Sequence, residues 1–250
     1  MPGTPRRLTF GENAASYERA RPAWPEQAAR WLVPADARLV VELGAGTGKL
    51  TRALAAVVPR VLAVEPDPRM LSVLREQGHE GTEGSAEAIP LGDGEADAVV
   101  AGSCIHWFDL EPALAEVHRV LRPGGRFAFG WNHRDARHPG VARMQERIYA
   151  ARPEGTGWRS RDWPAEVTAA GLFRDVEHEL FEHVHALPRA ALRDHLLSYA
   201  TLASLPEDER EAAFAGVVEI LDSEPSLRQG ERLTLPFVVD AYRATAVASS

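Results

Sequence analysis

Three alternating glycines, Gly44-Ala45-Gly46-Thr47-Gly48, stand directly after the apolar run Leu39-Val40-Val41-Glu42-Leu43. No other feature narrows what this chain can fold into so far. A short apolar run that stops at glycine reads as a buried parallel strand. The glycines let the backbone turn tightly and let a ligand lie against bare main chain. The helix that begins at Lys49 aims its free N–H groups at whatever sits in the turn. A dinucleotide fingerprint would carry Gly or Ala where this chain has Lys49. A second short strand, Val61-Leu62-Ala63-Val64-Glu65, ends in an acid. A carboxylate there can accept hydrogen bonds from both hydroxyls of a ribose. Strand, glycine loop, helix, strand and terminal acid describe a pocket for a nucleoside that need not carry a pyrophosphate.

The alternation continues down the chain. Asp67 is a plausible N-cap for a helix with Pro68 in its first turn. Ala96–Ala101 reads as a strand, Leu110–Leu121 as a helix and Arg126–Trp131 as the next strand, after the turn Arg122-Pro123-Gly124-Gly125. Repeated units of this kind predict an α/β fold, a parallel sheet with helices on both faces. The second half differs. Val176–His185 and Arg232–Asp240 look like strands, and the helical stretch between them, Pro188–Leu221, is too long for an ordinary connection. We therefore expect one domain over 1–250. It comprises an N-terminal covering segment (1–35), a core (36–187), a helical cap insertion (188–230), and a last strand with its tail (231–250).

Acidic residues outnumber basic ones, 36 to 28, for a formal charge of -8. That balance disfavours nucleic acid as a partner. The single cysteine, Cys104, excludes an internal disulfide and a cysteine-rich zinc site. His183 and His185 share a strand face, but no third ligand is visible, so no metal is expected. No stretch has the apolar length of a membrane span, and Met1–Phe10 has no apolar run of a secretory signal. The expectation is a soluble, cytoplasmic monomer or homodimer.

Several motifs together resemble the class I S-adenosylmethionine-dependent methyltransferases, in particular their small-molecule, type 11 branch. Glu42-Leu43-Gly44-Ala45-Gly46-Thr47-Gly48 resembles the first motif, and Val64-Glu65-Pro66-Asp67 the second, with Met70 in place to back an adenine. Gly84–Pro90 resembles the segment at the adenine edge. Asp97–Val100 with His106-Trp107-Phe108 resembles the fourth strand and its exit, and Leu121–Gly125 the turn into the fifth. Phe10–Pro25 resembles a segment that folds over the cofactor.

The resemblance implies a Rossmann-like, seven-stranded, mostly parallel sheet whose last strand is antiparallel. It implies S-adenosylmethionine as cofactor, with S-adenosylhomocysteine as product. Glu42 would lie near the methionine end, Glu65 on the ribose, and Ser85-Ala86 beside the adenine amino group. Tyr17, Arg21, Gly44, Ala45, Gly46, Gly48, Pro66, Met70, Glu87, Gly102 and Trp107 complete the implied cofactor contacts. The chain departs from the pattern at Ser85, where many relatives carry Asp, and at Cys104-Ile105.

Methyl transfer to a small molecule needs chiefly alignment of nucleophile, methyl carbon and sulfur. A base is needed only if the acceptor must lose a proton. His106, just past a strand end, is the candidate base, and the alternative is that it only shapes the pocket beside Trp107. Tyr17 and Trp107 could stabilise a sulfonium through their ring faces. A carboxylate acceptor would favour Arg21 or Arg134, whereas a phenol or ketone would favour an aromatic wall and a base. The competing readings are an NAD-dependent oxidoreductase, which Lys49 speaks against, and a non-catalytic module that binds S-adenosylmethionine.

Overall fold

The computed structural model describes residues 14–150 and 160–248. Residues 1–13 of the expected covering segment and 249–250 of the tail lie outside the described residues. In chain order the elements are α1 (Ala14–Ala20), α2 (Glu26–Leu32), β1 (Leu39–Leu43), α3 (Lys49–Ala55), β2 (Arg60–Glu65) and α4 (Pro68–Glu76). Then come β3 (Gly81–Glu83), β4 (Ala96–Gly102), α5 (Leu110–Val120), β5 (Leu121–Arg134), α6 (Pro139–Ala150) and α7 (Trp163–Ala169). The last part holds β6 (Phe173–Pro188), α8 (Leu192–Leu197), α9 (Ala200–Ala203), α10 (Glu207–Ser223), β7 (Arg228–Gln229) and β8 (Arg232–Ala246).

The strands lie in the order β3-β2-β1-β4-β5-β8-β6. β3 to β5 run parallel. β8 is antiparallel to both neighbours, so the last strand in sequence sits inside the sheet rather than at its edge. The one strand beyond the expected seven is β7, a two-residue arm paired to β8. This is the Rossmann-like arrangement, and the reversal of strand order between β1 and β4 opens a crevice at their C-terminal ends.

Side chains alternate across the sheet as the pleat requires. Val41, Leu43, Val99, Ala101, Phe127 and Phe129 face α5 and α7, and their cluster includes Leu114, Val117, Trp163 and Val167. Val40, Val61, Ala98, Val100 and Ala128 face α2 and α3, against Ala28, Leu32, Leu50 and Leu54. Glu42 shares the face of Val40, which puts a carboxylate inside an otherwise apolar layer. A third cluster joins α6, α8 and α10 to the far ends of β6 and β8 through Met144, Leu196, Val217, Leu235 and Phe237. β5 is longer than its apolar stretch suggests, because β8 pairs with it as far as Arg134↔Phe237. That extension carries Asn132 and Arg134 beyond the end of β4. Among the described residues no helix is long and apolar enough to cross a membrane.

Candidate active site

The glycine loop leaves β1 with three left-handed residues: Gly44 at φ +60°, Gly46 at +59° and Gly48 at +92°. Their reasons differ. A Cβ on Gly44 would stand 2.9 Å from both Cβ and Sγ of Cys104, so this glycine lets β4's exit pack against the loop. A Cβ on Gly46 would meet nothing within 4 Å, so the loop is open there. The Ala45 N–H donates to Val64 O at 3.2 Å and the Gly48 N–H to Ala45 O at 3.0 Å, which fixes the turn against β2.

Two buried carboxylates flank the loop. Glu65 ends β2 and is 7% exposed. Its Oε2 accepts from the Gly46 N–H at 2.8 Å and its Oε1 from the Asp67 N–H at 2.9 Å. Burial raises its pKa, while those two backbone bonds work in the other direction. Glu42 is 2% exposed, and its Oε2 accepts from the Thr51 hydroxyl at 2.5 Å. Burial pushes its pKa up to about 8, with the Thr51 hydroxyl opposing and the charge of Glu65 adding. Neither acid has a cationic partner among the described residues. Burying an ionised carboxylate without one is costly, so a ligand that brings a positive charge or hydroxyl donors would answer both.

Pro66 is half-buried at the exit of β2, and Met70 is buried one turn into α4. Ser85 forms an isolated bridge with Ala88, and Ala86 is buried between them. Glu87 accepts from the Asp109 N–H at 2.9 Å, which ties this segment to the start of α5. A Cβ on Gly102 would come 2.7 Å from Leu50 Cδ2 and 3.1 Å from Trp24 Cζ2, so this glycine is needed for core packing. His106 and Trp107 lie in a single 3-10 turn after β4, with ring centroids 4.9 Å apart. The Trp131 Nε1–H donates to His106 Nδ1 at 3.4 Å.

Known proteins share this layout. A family model described as a methyltransferase domain matches residues 41–129, from β1 into β5. An uncharacterised methyltransferase of Mycobacterium tuberculosis is 40% identical over 240 residues, 95% of this chain and 96% of its own length. One from Schizosaccharomyces pombe is 32% identical over 246 residues, 96% of this chain and 97% of its own. The chain belongs to the class I S-adenosylmethionine-dependent methyltransferases. The fold agrees. A structure assigned as a type II methyltransferase from Anaeromyxobacter dehalogenans has a TM-score of 0.62 over 91% of this chain and 97% of that one, at 24% identity.

In the methyltransferase, α1 roofs the loop. Glu18 accepts from the Thr47 hydroxyl at 2.6 Å and pairs with Lys49 Nζ and Arg52 Nη2 at 3.0 Å each. Burial works against its ionised form, but the hydrogen bonds from Thr47, Lys49 and Arg52 outweigh it and hold Glu18 below the usual carboxylate range. Tyr17 lies on this helix and Arg21 directly follows it, with Arg21 Cζ 4.8 Å from the Tyr17 ring centroid. Arg21 Nη2 donates to Ser198 O at 2.9 Å, and His195 Nδ1 lies 2.8 Å from Ala20 O, so α1 also meets α8. The Asn132 amide donates to Ala23 O at 2.9 Å, and its Oδ1 lies 2.9 Å from His183 Nε2.

Sequence reasoning missed Glu18, Thr51, Ser103, Asn132 and His195. Ser103 holds φ +60° at the exit of β4, an uncommon conformation for a residue with a side chain. Its N–H donates to Gly130 O at 2.7 Å, and its hydroxyl accepts from the Asn132 N–H at 3.3 Å. His183 and His185, which share a face of β6, turn toward Asn132 and His195 respectively. Among the described residues no group of three or more His, Cys, Asp or Glu side chains is placed to hold a metal.

Proposed function

We propose that the enzyme transfers a methyl group from S-adenosylmethionine to a small-molecule acceptor at the C-terminal edge of the sheet, under α1 and α8, by positioning rather than by proton abstraction. One observation carries the reading. Two buried carboxylates, Glu42 and Glu65, flank an open glycine loop and have no cation of their own among the described residues. A nucleoside bearing an ammonium group and two ribose hydroxyls supplies donors that fit those two acceptors.

Glu65 would accept from the ribose hydroxyls and Glu42 from the methionine end. Pro66, Met70, Ser85, Ala86 and Glu87 border the space for the base. Gly44, Ala45, Gly46 and Gly48 offer backbone, and Gly102 leaves room for Trp24 to pack beneath. Bound there, the cofactor supplies a methyl group already activated on a sulfonium. Tyr17 and Trp107 would present ring faces to positive charge, and Arg21 would lie at the open end. His106 turns its Nδ1 lone pair toward Trp131, so we assign it to shaping the pocket. Orientation of this kind contributes on the order of several kcal/mol to rate.

The test is parallel calorimetric titration with S-adenosylmethionine, S-adenosylhomocysteine and NAD. Binding of the two sulfur nucleosides and not of NAD is expected. Binding of NAD, or of none, would overturn the reading.

A further inference from the structure

Beyond the nucleoside crevice, positive charge and buried polar atoms stand without an acidic partner among the described residues. Arg134, the last residue of β5, is 4% exposed, and its Nε and Nη1 have no hydrogen-bond partner among the described residues. No carboxylate among the described residues pairs with it. What it touches is a ring, with Cζ 4.5 Å from the centroid of Tyr199. Arg21 sets a second guanidinium 3.8 Å from the same centroid, and its Nε is also buried without a partner. The Tyr199 hydroxyl completes the group: it too is buried and unpartnered.

His195 lies beside them, its ring 5.4 Å from that of Tyr199 and its Nε2 without a partner. Burial first, and then the charge of Arg134, push its pKa well below the ordinary value; with Nδ1–H donating to Ala20 O, the neutral ring's Nε2 adds an acceptor and no charge. Other guanidiniums of the chain meet acids. Arg243 pairs with Glu177, and Arg119 with Glu116 and Asp93. Two guanidiniums held against one tyrosine ring, each with an open donor, together with that ring's buried hydroxyl, form an unfinished site for an anion.

Its place in the fold separates it from the nucleoside crevice. Gly130 pairs with Gly102 at the end of β4, and β5 then runs on through Asn132 to Arg134, which pairs with Phe237 of β8. Arg134 therefore stands beyond the strand end that carries His106 and Trp107, on the side closed by the cap.

We infer that the methyl acceptor is a small carboxylic acid, and that Arg134 binds its carboxylate with the Tyr199 hydroxyl and Arg21 alongside. This rests on the methyltransferase reading above and adds the class of acceptor to it. A carboxylate answers both the donors and the charge of the guanidinium, whereas an amide of the same shape offers a neutral carbonyl acceptor only.

The test uses the full chain saturated with S-adenosylhomocysteine, titrated calorimetrically with matched pairs: octanoate and octanamide, phenylacetate and phenylacetamide, glutarate and glutaramide. At least one acid should bind about tenfold or more tighter than its amide. Arg134→Gln should abolish that preference and leave S-adenosylhomocysteine affinity within about twofold, while Arg134→Lys should keep part of the preference. Equal binding of acids and amides by the unaltered protein would overturn the inference, whether or not the glutamine variant folds. A preference that survives in Arg134→Gln would also overturn it. So would loss of S-adenosylhomocysteine affinity in that variant, because the guanidinium would then serve the cofactor. Failure of the unaltered protein to bind S-adenosylhomocysteine shows before any acid is added, and it would sink the underlying reading instead.

Discussion

Replacing Glu42 by glutamine should make the ligand-free protein more stable, and more so the higher the pH. Glu42 is buried beside Glu65, with one hydrogen bond from Thr51, and its pKa is pushed up to about 8 from 4.5. Between those values the folded chain keeps a proton that the unfolded chain has lost. The unfolded state then binds fewer protons, so stability falls as pH rises through the window. A difference of one pH unit in pKa between the two states is worth about 1.4 kcal/mol, and the loss between about pH 5 and about pH 8.5 comes to roughly 4 kcal/mol. Glutamine cannot titrate, and its side-chain oxygen can still accept from Thr51. Urea unfolding of the two proteins at about pH 5, 7 and 8.5 should show a small difference at the lowest pH and roughly 3 kcal/mol in favour of the variant near neutrality. The same variant should bind S-adenosylmethionine more weakly. A stability difference that does not change with pH would refute the argument, and so would a loss of stability near pH 8.5.

Glu65→Ala should weaken S-adenosylhomocysteine binding by about tenfold or more, in line with loss of charged hydrogen bonds, whereas His106→Ala should change it little; equal losses in titration would break the ribose assignment. Gly44→Ala should cost about 2–4 kcal/mol, from a left-handed φ together with a clash against Cys104. Gly46→Ala should cost only the conformational part, and thermal melts that rank the two the other way would contradict the packing. Glu18→Gln should loosen α1, lowering hydrogen-exchange protection of the Arg21 amide by about tenfold at neutral pH. Because the Glu18 pKa is lowered, its contribution is present at neutral pH and fades as pH falls through the lowered value. Protection that is unchanged in the variant would show that α1 is held by other contacts.

β1, β2 and β4 are legible to within a residue or so because they are buried on both faces, and a continuous apolar run between turn residues admits few alternatives. The start of α4 is legible for a local reason: Asp67 accepts from the Arg69 N–H at 3.0 Å, with Pro68 in the first turn. β3 is not, because Gly81-Thr82-Glu83 lies at the sheet edge and carries no apolar pattern. α6 shows only a thin trace, Val141, Met144 and Ile148 at helical spacing, which is easily overlooked between two loops. On the cofactor side most candidate residues sit in short contiguous motifs at the ends of strands that pair directly, β1 with β2 and with β4, so the motifs themselves are readable in sequence. Arg134, Tyr199 and Arg21 meet only because β8 extends β5 and because α8 folds back on α1. No local pattern encodes a contact made across half the chain.

The roof of the site joins the two halves of the chain. Arg21 bonds Ser198 across 177 positions and His195 meets Ala20 across 175. Contacts of such long range require most of the sheet to be in place before they repay the entropy of closing so large a loop. A chain still emerging from the ribosome can therefore complete the nucleoside crevice of β1, β2 and β4 well before it can cover the acceptor. Methyl transfer competence should appear as the last event of folding, and it should be the first property lost when the native state begins to open.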